Sequence, residues 1–297
     1  MKKNIDIGII ILNYNSYNDT INLVNSLQNQ NNSITLEIVV VDNKSPNESV
    51  KHLKIIEAYK NVNLLETKSN LGYARGNNFG LNYLYNNFNA EFVTILNNDV
   101  SINDNLIFSK LIDEYNSIEN CGFISPIEVD SNGTINSYCG RKRPSFLMEI
   151  LNSFLLFTYL FPNISKYNID IKKRRIKVDI IAGAFLFTKM KYFKQINFFD
   201  SGTFLFLEER ILSKKVENSK REQFLITSIN YLHQTSLSIN KTFSGLEQAK
   251  IFNESLIYYT KNYNRFGSVK AFILLIFLKF KIFQFKIFYF CKNYFNK

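Results

Sequence analysis

Through its first hundred residues the chain alternates strand-like and helix-like stretches, and that rhythm restricts the fold more than any other feature. Strands are expected at Ile7–Leu12, Leu36–Val41, Val62–Leu65 and Glu91–Leu96. Helices are expected over Tyr17–Gln28, from Pro46 to about Tyr59, and over Arg75–Asn87, with Pro46 at the first helical position that proline favours. Strands this continuously apolar, each followed by a helix, imply a largely parallel sheet covered on both faces. Such a sheet holds its ligand at the carboxyl edge, so the residues that close each strand are the first place to look for chemistry.

Beyond Asn103 a helix is expected to about Asn116, followed by a short strand at Cys121–Ser125. Phe146–Phe161 is strongly apolar but holds Glu149 and Asn152, which points to a buried or interfacial helix rather than a membrane span. Lys172–Arg175 reads as a basic loop, Ile180–Thr188 as a strand, and Phe204–Val216 and Glu247–Tyr263 as helices. No internal repeat and no glycine- or proline-rich linker divides the 297 residues, so one α/β domain over 1–265 is expected, with a tail at 266–297.

Six lysines and ten aromatic residues fall between Ser268 and Lys297 without one acid, so more than half of the +11 net charge belongs to the tail. That argues against a broad nucleic-acid-binding face and for a local anionic surface. Lys279, Lys281 and Lys286 interrupt the apolar stretch and argue against a spanning helix. At helical spacing Lys270, Lys281 and Lys292 share a face while Lys279 and Lys286 fall opposite, an imperfectly amphipathic pattern. Attachment to the inner membrane leaflet is the favoured reading, with packing on the domain or in a homodimer as the alternative. Cys121, Cys139 and Cys291 show neither metal-ligand spacing nor a disulfide framework, and the first apolar run holds Asp6 and stops at Leu12. Both features suit a cytoplasmic protein.

The strand ends carry the polar residues. The first closes on Asn13-Tyr14-Asn15 and the second on Asp42-Asn43-Lys44-Ser45-Pro46. Asp42 can accept a hydrogen bond from a pyrimidine N3–H with Tyr14 beside the ring, or it can simply form an Asx-turn with Ser45. In Asn70-Leu71-Gly72-Tyr73-Ala74-Arg75-Gly76-Asn77-Asn78 the glycines let backbone approach a phosphate or ribose, and Arg75 sets a cation at a helix start. No Gly-Lys-Ser/Thr follows, so this is not a Walker loop. The fourth strand closes on Asn97-Asn98-Asp99, a carboxylate among amides that suits a hard divalent cation carrying a diphosphate.

Taken as a series, these stretches resemble the inverting family 2 glycosyltransferases, particularly the rhamnosyltransferase-like branch that builds bacterial surface polysaccharides. The matching segments are Ile9–Asn15, Val39–Asn43, Asn70–Asn78, Ile95–Asp99, Ala182–Phe187, Phe198–Asp200 and Phe204–Glu209. The resemblance implies an α/β GT-A fold: a mostly parallel central sheet flanked by helices, a Rossmann-like nucleotide-sugar-binding half over 1–100, an acceptor half over 101–265, and a C-terminal helical extension. It implies that Asn13, Tyr14, Asn15, Asp42, Asn43, Asn70, Gly72, Arg75, Asn78 and Asn98 hold the nucleotide. It further implies that Asn97-Asn98-Asp99 stands where the family has its Asp-X-Asp motif, with Asp99 as the main ligand of Mg2+ or Mn2+ and Asn97 in place of the first acid.

Glu208-Glu209 resembles the acidic pair of an acceptor-facing helix, with Glu209 as the general base; without the resemblance, the pair reads first as a response to the helix dipole in the opening turn. His233 opens a His-X-X-X-X-Ser stretch and becomes a metal or diphosphate ligand, or a hydrogen-bonded core histidine. Gly183, Ala184 and Asp200 fall to the sugar or acceptor site. The implied reaction moves a sugar, from dTDP-rhamnose or a UDP-sugar, to a lipid-linked or growing surface glycan. Two rivals are a non-catalytic sugar-nucleotide-binding subunit and a nucleotidyltransferase.

Overall fold

The computed structural model describes residues 2–30, 33–162, 166, 167, 169–233 and 244–295, with side chains as far as 287. Eleven strands are described: β1 (Lys3–Asn13), β2 (Leu36–Asp42), β3 (Val62–Glu66), β4 (Phe88–Asn97), β5 (Val100–Ser101), β6 (Cys121–Val129), β7 (Gly140–Arg141), β8 (Arg175–Val178), β9 (Ile180–Ile181), β10 (Phe185–Lys189) and β11 (Glu222–His233). The α-helices are α1 (Tyr17–Leu27), α2 (Ser49–Leu53), α3 (Tyr73–Asn87), α4 (Ile107–Asn116), α5 (Phe146–Leu151), α6 (Leu155–Leu160), α7 (Met190–Gln195), α8 (Glu208–Asn218), α9 (Gly245–Tyr263) and α10 (Gly267–Phe295).

The main sheet runs β3-β2-β1-β4-β10-β6-β11-β5, with β8 also on β11. Strands β3, β2, β1 and β4 are all parallel, as the alternating sequence predicts. Beyond them β10 is antiparallel to both β4 and β6, and β11 returns parallel to β6. Alternate residues of β1 and β2 serve opposite layers, which is why both strands are apolar throughout. Ile7, Ile9 and Ile11 pack with Leu23 of α1 and Leu111 of α4, whereas Ile10, Val39 and Val41 pack with Leu81 of α3 and Phe193 of α7. Each such buried side chain contributes roughly 1.5–3 kcal/mol.

Register aligns the strand ends. Asn13 lies opposite Asp42, and Asn97 lies opposite Leu12, so the polar residues of three strands emerge along one rim. The antiparallel β10 starts where its parallel neighbours stop, which brings Gly183 and Ala184 to that rim; Asn97 N donates to Ala184 O at 2.9 Å.

Several elements differ from expectation. Pro46 does not open a helix: Glu48 has a left-handed φ of 61°, α2 starts at Ser49, and a 3-10 turn (Lys54–Ala58) follows. The apolar Phe146–Phe161 stretch is two short helices, α5 and α6, broken at Asn152–Phe154. The strand expected at Ile180–Thr188 divides at Ala182–Ala184, and the helix expected from Phe204 begins at Glu208 because Phe206 and Leu207 are both left-handed, at φ 71° and 69°.

The tail forms the long helix α10, whose Leu274 and Leu278 join Leu256 and Tyr259 of α9 and Ile211 of α8 in a third cluster. Among the described residues no helix is long and apolar enough to cross a membrane.

Candidate functional site

At the first strand end, Asn13 and Asp42 are fully buried and bonded to each other, Asn13 Nδ2 donating to Asp42 Oδ1 at 2.7 Å. Asp42 also accepts from the Ser45 amide at 2.9 Å and the Ser45 hydroxyl at 2.6 Å, the Asx-turn that the sequence permits. Asn98 extends the network, donating to Ser16 Oγ at 2.6 Å and Thr20 Oγ1 at 2.9 Å, while Thr20 donates to Asn13 Oδ1. Tyr14 and Asn15, the latter at φ 61°, sit half-buried in the turn above. These residues therefore make one rigid rim, and the Asp42 carboxylate is occupied by protein donors.

The loop before α3 is tied to the rim through Asn43. Its Oδ1 accepts from Leu71 N at 2.9 Å, and its Nδ2 donates to Asn70 Oδ1 at 3.0 Å and Gly72 O at 3.2 Å. Gly72 is left-handed at φ 77°, and a Cβ there would stand 2.1 Å from Phe204 O. Because it is glycine, Tyr73 N can donate to that same carbonyl at 2.9 Å, joining the loop to the segment that leads into α8. Arg75 is exposed, with Nε donating to Leu71 O. Asn78 faces away from this loop and grips the Phe199 backbone through both ends of its amide.

Asp99 meets His233 where β11 pairs with β5: Nε2 of the imidazole is 3.0 Å from Asp99 Oδ1. On the ring's other side Nδ1 lies 3.1 Å from Glu128 Oε1, in ion-pair contact without the alignment of a hydrogen bond. Glu128 is itself held by Asn136 Nδ2 at 2.6 Å and by the Tyr231 hydroxyl at 3.4 Å. Burial opposes charge on His233, but Asp99 and Glu128 outweigh it and push the imidazole up to about 9. Burial likewise works to raise the Glu128 carboxyl, and contacts with His233 and Asn136 hold it below its ordinary value.

Asp99 Oδ1 and His233 Nε2 are donor types that a divalent cation accepts, but to bind one the imidazole must give up the proton that Asp99 and Glu128 hold on it. Among the described residues no set of three or more His, Cys, Asp or Glu is arranged around a metal position, so the remaining ligands would be diphosphate oxygens and water. The rest of the His-X-X-X-X-Ser stretch, from Gln234 to Ser238, lies outside the described residues.

The acidic pair follows the strained turn at Phe206 and Leu207. Bulky residues in the left-handed region cost of order 1–3 kcal/mol each and cluster at functional sites. Glu208 is buried, its Oε1 without a hydrogen-bond partner, and burial together with the neighbouring Glu209 pushes its carboxyl up to about 8. Glu209 is more open, with Arg141 Nη2 at 3.6 Å from its Oε2. A Cβ at Gly183 would meet Glu209 Oε1 at 2.7 Å, so the glycine makes room for the acid.

Tyr73 joins the end of β4 to the segment before β10, its hydroxyl donating to Gly183 O at 2.9 Å and reaching Asn97 Oδ1 at 3.4 Å. Burial raises its phenol well above the ordinary range, reinforced by Glu209, Glu208 and Asp99 in that order. Tyr73, Asn97, Arg141, Glu208 and Glu209 line one open cavity of ≈ 570 Å³, walled on its far side by Met148, Thr158, Phe161 and Phe252.

Asp200 does not line this cavity. Its carboxylate accepts from Gly202 N and from the hydroxyls of Tyr258 and Tyr263, so it clamps α9 instead. Three contributors escape the sequence reading. Glu128 is signalled only as a lone acid inside an apolar strand, Tyr73 sits unremarked between the two glycines of its loop, and Arg141 is one cation of a basic run.

The profile of Glycosyl transferase family 2 matches residues 8–196. Over 98 residues, 33% of this chain, the sequence is 37% identical to the low-salt glycan biosynthesis hexosyltransferase Agl10 of Haloferax volcanii, and the match spans 29% of that protein. Among solved structures the fold is similar to GalNAc-T7 with UDP, GalNAc and Mn2+, at TM-score 0.61 and 14% identity over 90% of this chain and 54% of that one. It is also similar to the mannosyltransferase PcManGT from Pyrobaculum calidifontis in complex with GDP-Man and Mn2+, at TM-score 0.56 and 13% identity over 92% and 74%. A third neighbour is S. aureus TarS 1-349 in complex with UDP, at TM-score 0.53 and 18% identity over 92% and 70%. At such identities the structural likeness is one of fold. The chain spans less than a third of the curated relative and about half of GalNAc-T7.

Proposed function

Because the chain belongs to glycosyl transferase family 2, we propose that it transfers a sugar from a nucleoside-diphosphate donor to a hydroxyl of a lipid-linked or growing surface glycan, with inversion. The observation that carries this reading is the cavity lined by Tyr73, Asn97 and Glu209, in which the Tyr73 hydroxyl ties Gly183 to Asn97, the residue two before Asp99.

The rim from Asn13 through Asn98 and the Asn43–Gly72 loop form the nucleotide end. Asn98 and Asp42 act there by fixing the shape of the rim, whereas Arg75, being exposed, is free to meet phosphate. Asp99 and His233 would hold Mg2+ or Mn2+, which supplies positive charge to the departing diphosphate. Glu209 takes the proton from the acceptor hydroxyl. That oxygen attacks the anomeric carbon from the face opposite the diphosphate, and the anomeric C–O bond breaks with its electrons leaving on phosphate. Glu208 keeps its proton at neutral pH and so leaves the base role to Glu209.

dTDP-rhamnose and UDP-sugars are the donors that the resemblance to the rhamnosyltransferase-like branch implies. Peripheral attachment to the cytoplasmic face of the membrane is supported by α10, whose solvent side carries Phe272, Ile276 and Phe283 beside Lys279 and Lys286. A panel of nucleotide sugars, screened by thermal shift with and without Mn2+, tests the reading: the true donor raises the melting temperature by mass action. Metal-dependent transfer that vanishes in Glu209→Gln excludes the non-catalytic alternative suggested by Asn97. Transfer that persists in that variant overturns the assignment of the base.

A further inference from the structure

Large apolar side chains stand exposed on α6, a helix with no buried residue at all. Tyr159 is 81% exposed and Leu156 69%, with Leu160 also outward. A six-residue helix that buries nothing gains no stability from its own apolar face in water, and contiguous exposed apolar surface marks an interaction site. The solvent side of α10 repeats the pattern at helical spacing, through Val269, Phe272, Ile276, Phe280 and Phe283.

The two helices form one body. The Phe154 ring stands edge-on to Phe277 and Phe280, at centroid distances of 5.9 and 5.8 Å. Gln284 accepts from Leu155 N at 3.1 Å and donates to Ser153 O at 3.0 Å, so α10 caps the break between α5 and α6.

Charge selects the occupant of this surface. Ser268–Lys297 holds six lysines and no acid, and Lys279 and Lys286 are exposed within the apolar stripe. A second copy of the chain would set like charges together, whereas anionic lipid headgroups would pair with them while the lysine stems lie along the apolar layer. Meanwhile Thr158 and Phe161, at the other side and end of α6, line the cavity that contains Glu209.

We propose that α6 and α10 together form a single bilayer-docking face, which seats the cavity mouth on an anionic leaflet so that the acceptor reaching Glu209 is carried by a lipid. The second clause rests on the transferase reading; the docking itself does not.

Co-sedimentation of the full chain with vesicles of phosphatidylcholine and phosphatidylglycerol tests it. Deleting α10 would uncover Leu256 and Tyr259, so the informative variants are Leu156→Ser, Tyr159→Ser and Leu160→Ser combined, which alter only exposed positions and leave α10 whole. The triple variant should lose vesicle partitioning by about tenfold or more, given three side chains no longer inserted, while its turnover of a donor in solution stays unchanged. Wild-type partitioning by the triple variant overturns the inference. So does a wild-type dimer that the variant converts to monomer with vesicle binding intact, since the surface then serves self-association. If partitioning falls as expected but neither protein turns over any sugar nucleotide, the docking face stands and the transferase reading fails.

Discussion

His233 Nε2 sits 3.0 Å from Asp99 Oδ1, although 134 residues separate the two in sequence. The parallel return of β11 beside β6 overshoots far enough to pair with β5, and that pairing alone delivers the imidazole to the end of β4. A sheet-wide arrangement thus fixes the contact, and of the two residues Asp99 is the cleaner one to substitute, because removing His233 would also strand the buried Glu128 carboxylate.

Asp99→Ala is expected to abolish metal-dependent binding of a nucleoside diphosphate. Calorimetric titration in the presence of Mn2+ reads it directly, and an unchanged isotherm would place the cation elsewhere.

Glu128→Gln should weaken Mn2+ binding by about tenfold to a hundredfold, because a carboxylate behind a ligating imidazole fixes the ring and raises its basicity. Titration of free Mn2+ by electron paramagnetic resonance measures the affinity without requiring turnover. Equal affinities in the variant and the parent would reduce Glu128 to a packing role.

Glu209→Gln should lower the transfer rate by roughly a hundredfold to ten-thousandfold while donor binding, read by thermal shift, remains. Loss of both together would indicate a misfolded cleft rather than a missing base.

Glu208 gives a dependence on pH with a definite sign. Folded, it holds its proton to about 8, whereas unfolded it releases it near 4.5. Between those values the folded state binds more protons, so this residue lowers stability as pH rises, with the full loss above about 8. Glu208→Gln should therefore gain stability over the parent by at least about 1 kcal/mol at pH 8 and by little at pH 5. Urea melts at the two pH values decide the matter, and parallel curves would count against a buried protonated acid.

Asp42→Ala should destabilise the chain by about 1–3 kcal/mol, since it strands the buried Asn13 amide and the Ser45 donors. Nucleotide binding should weaken alongside as the rim loosens. A variant of unchanged melting temperature would show that water replaces the carboxylate.

The parallel half of the sheet was legible in residues because its strands alternate regularly with helices along the chain and are apolar on both faces. Asn13, Asp42 and Asn97 could be assigned to one edge for the same reason. The second half was not, since β10 enters antiparallel between β4 and β6 and β11 arrives from a hundred residues away, arrangements that leave no local period. The acids at 208 and 209 were readable as a pair, but not the left-handed Phe206 and Leu207 before them, because nothing in Phe-Leu-Phe-Leu advertises a reversal. Glu128 was invisible for a related reason: its partner His233 sits on the adjacent strand β11, which is remote in sequence. Asp200 and Asn78 were legible as polar residues beside the motifs, yet each is consumed by a structural tie, to α9 and to the Phe199 backbone respectively.

The consecutive left-handed residues ahead of α8 bear on any effort to harden this protein against heat. Glycine at Leu207 would relieve about 1–3 kcal/mol of backbone strain but empty a buried position beside Ile211 and Leu256, a loss of about 2–5 kcal/mol. It would also let the first turn of the helix drift, and with it Glu209, the proposed base, which packs against Gly183. Thermal robustness and turnover should therefore fall together at this position, so a selection for heat resistance will keep the strained leucine.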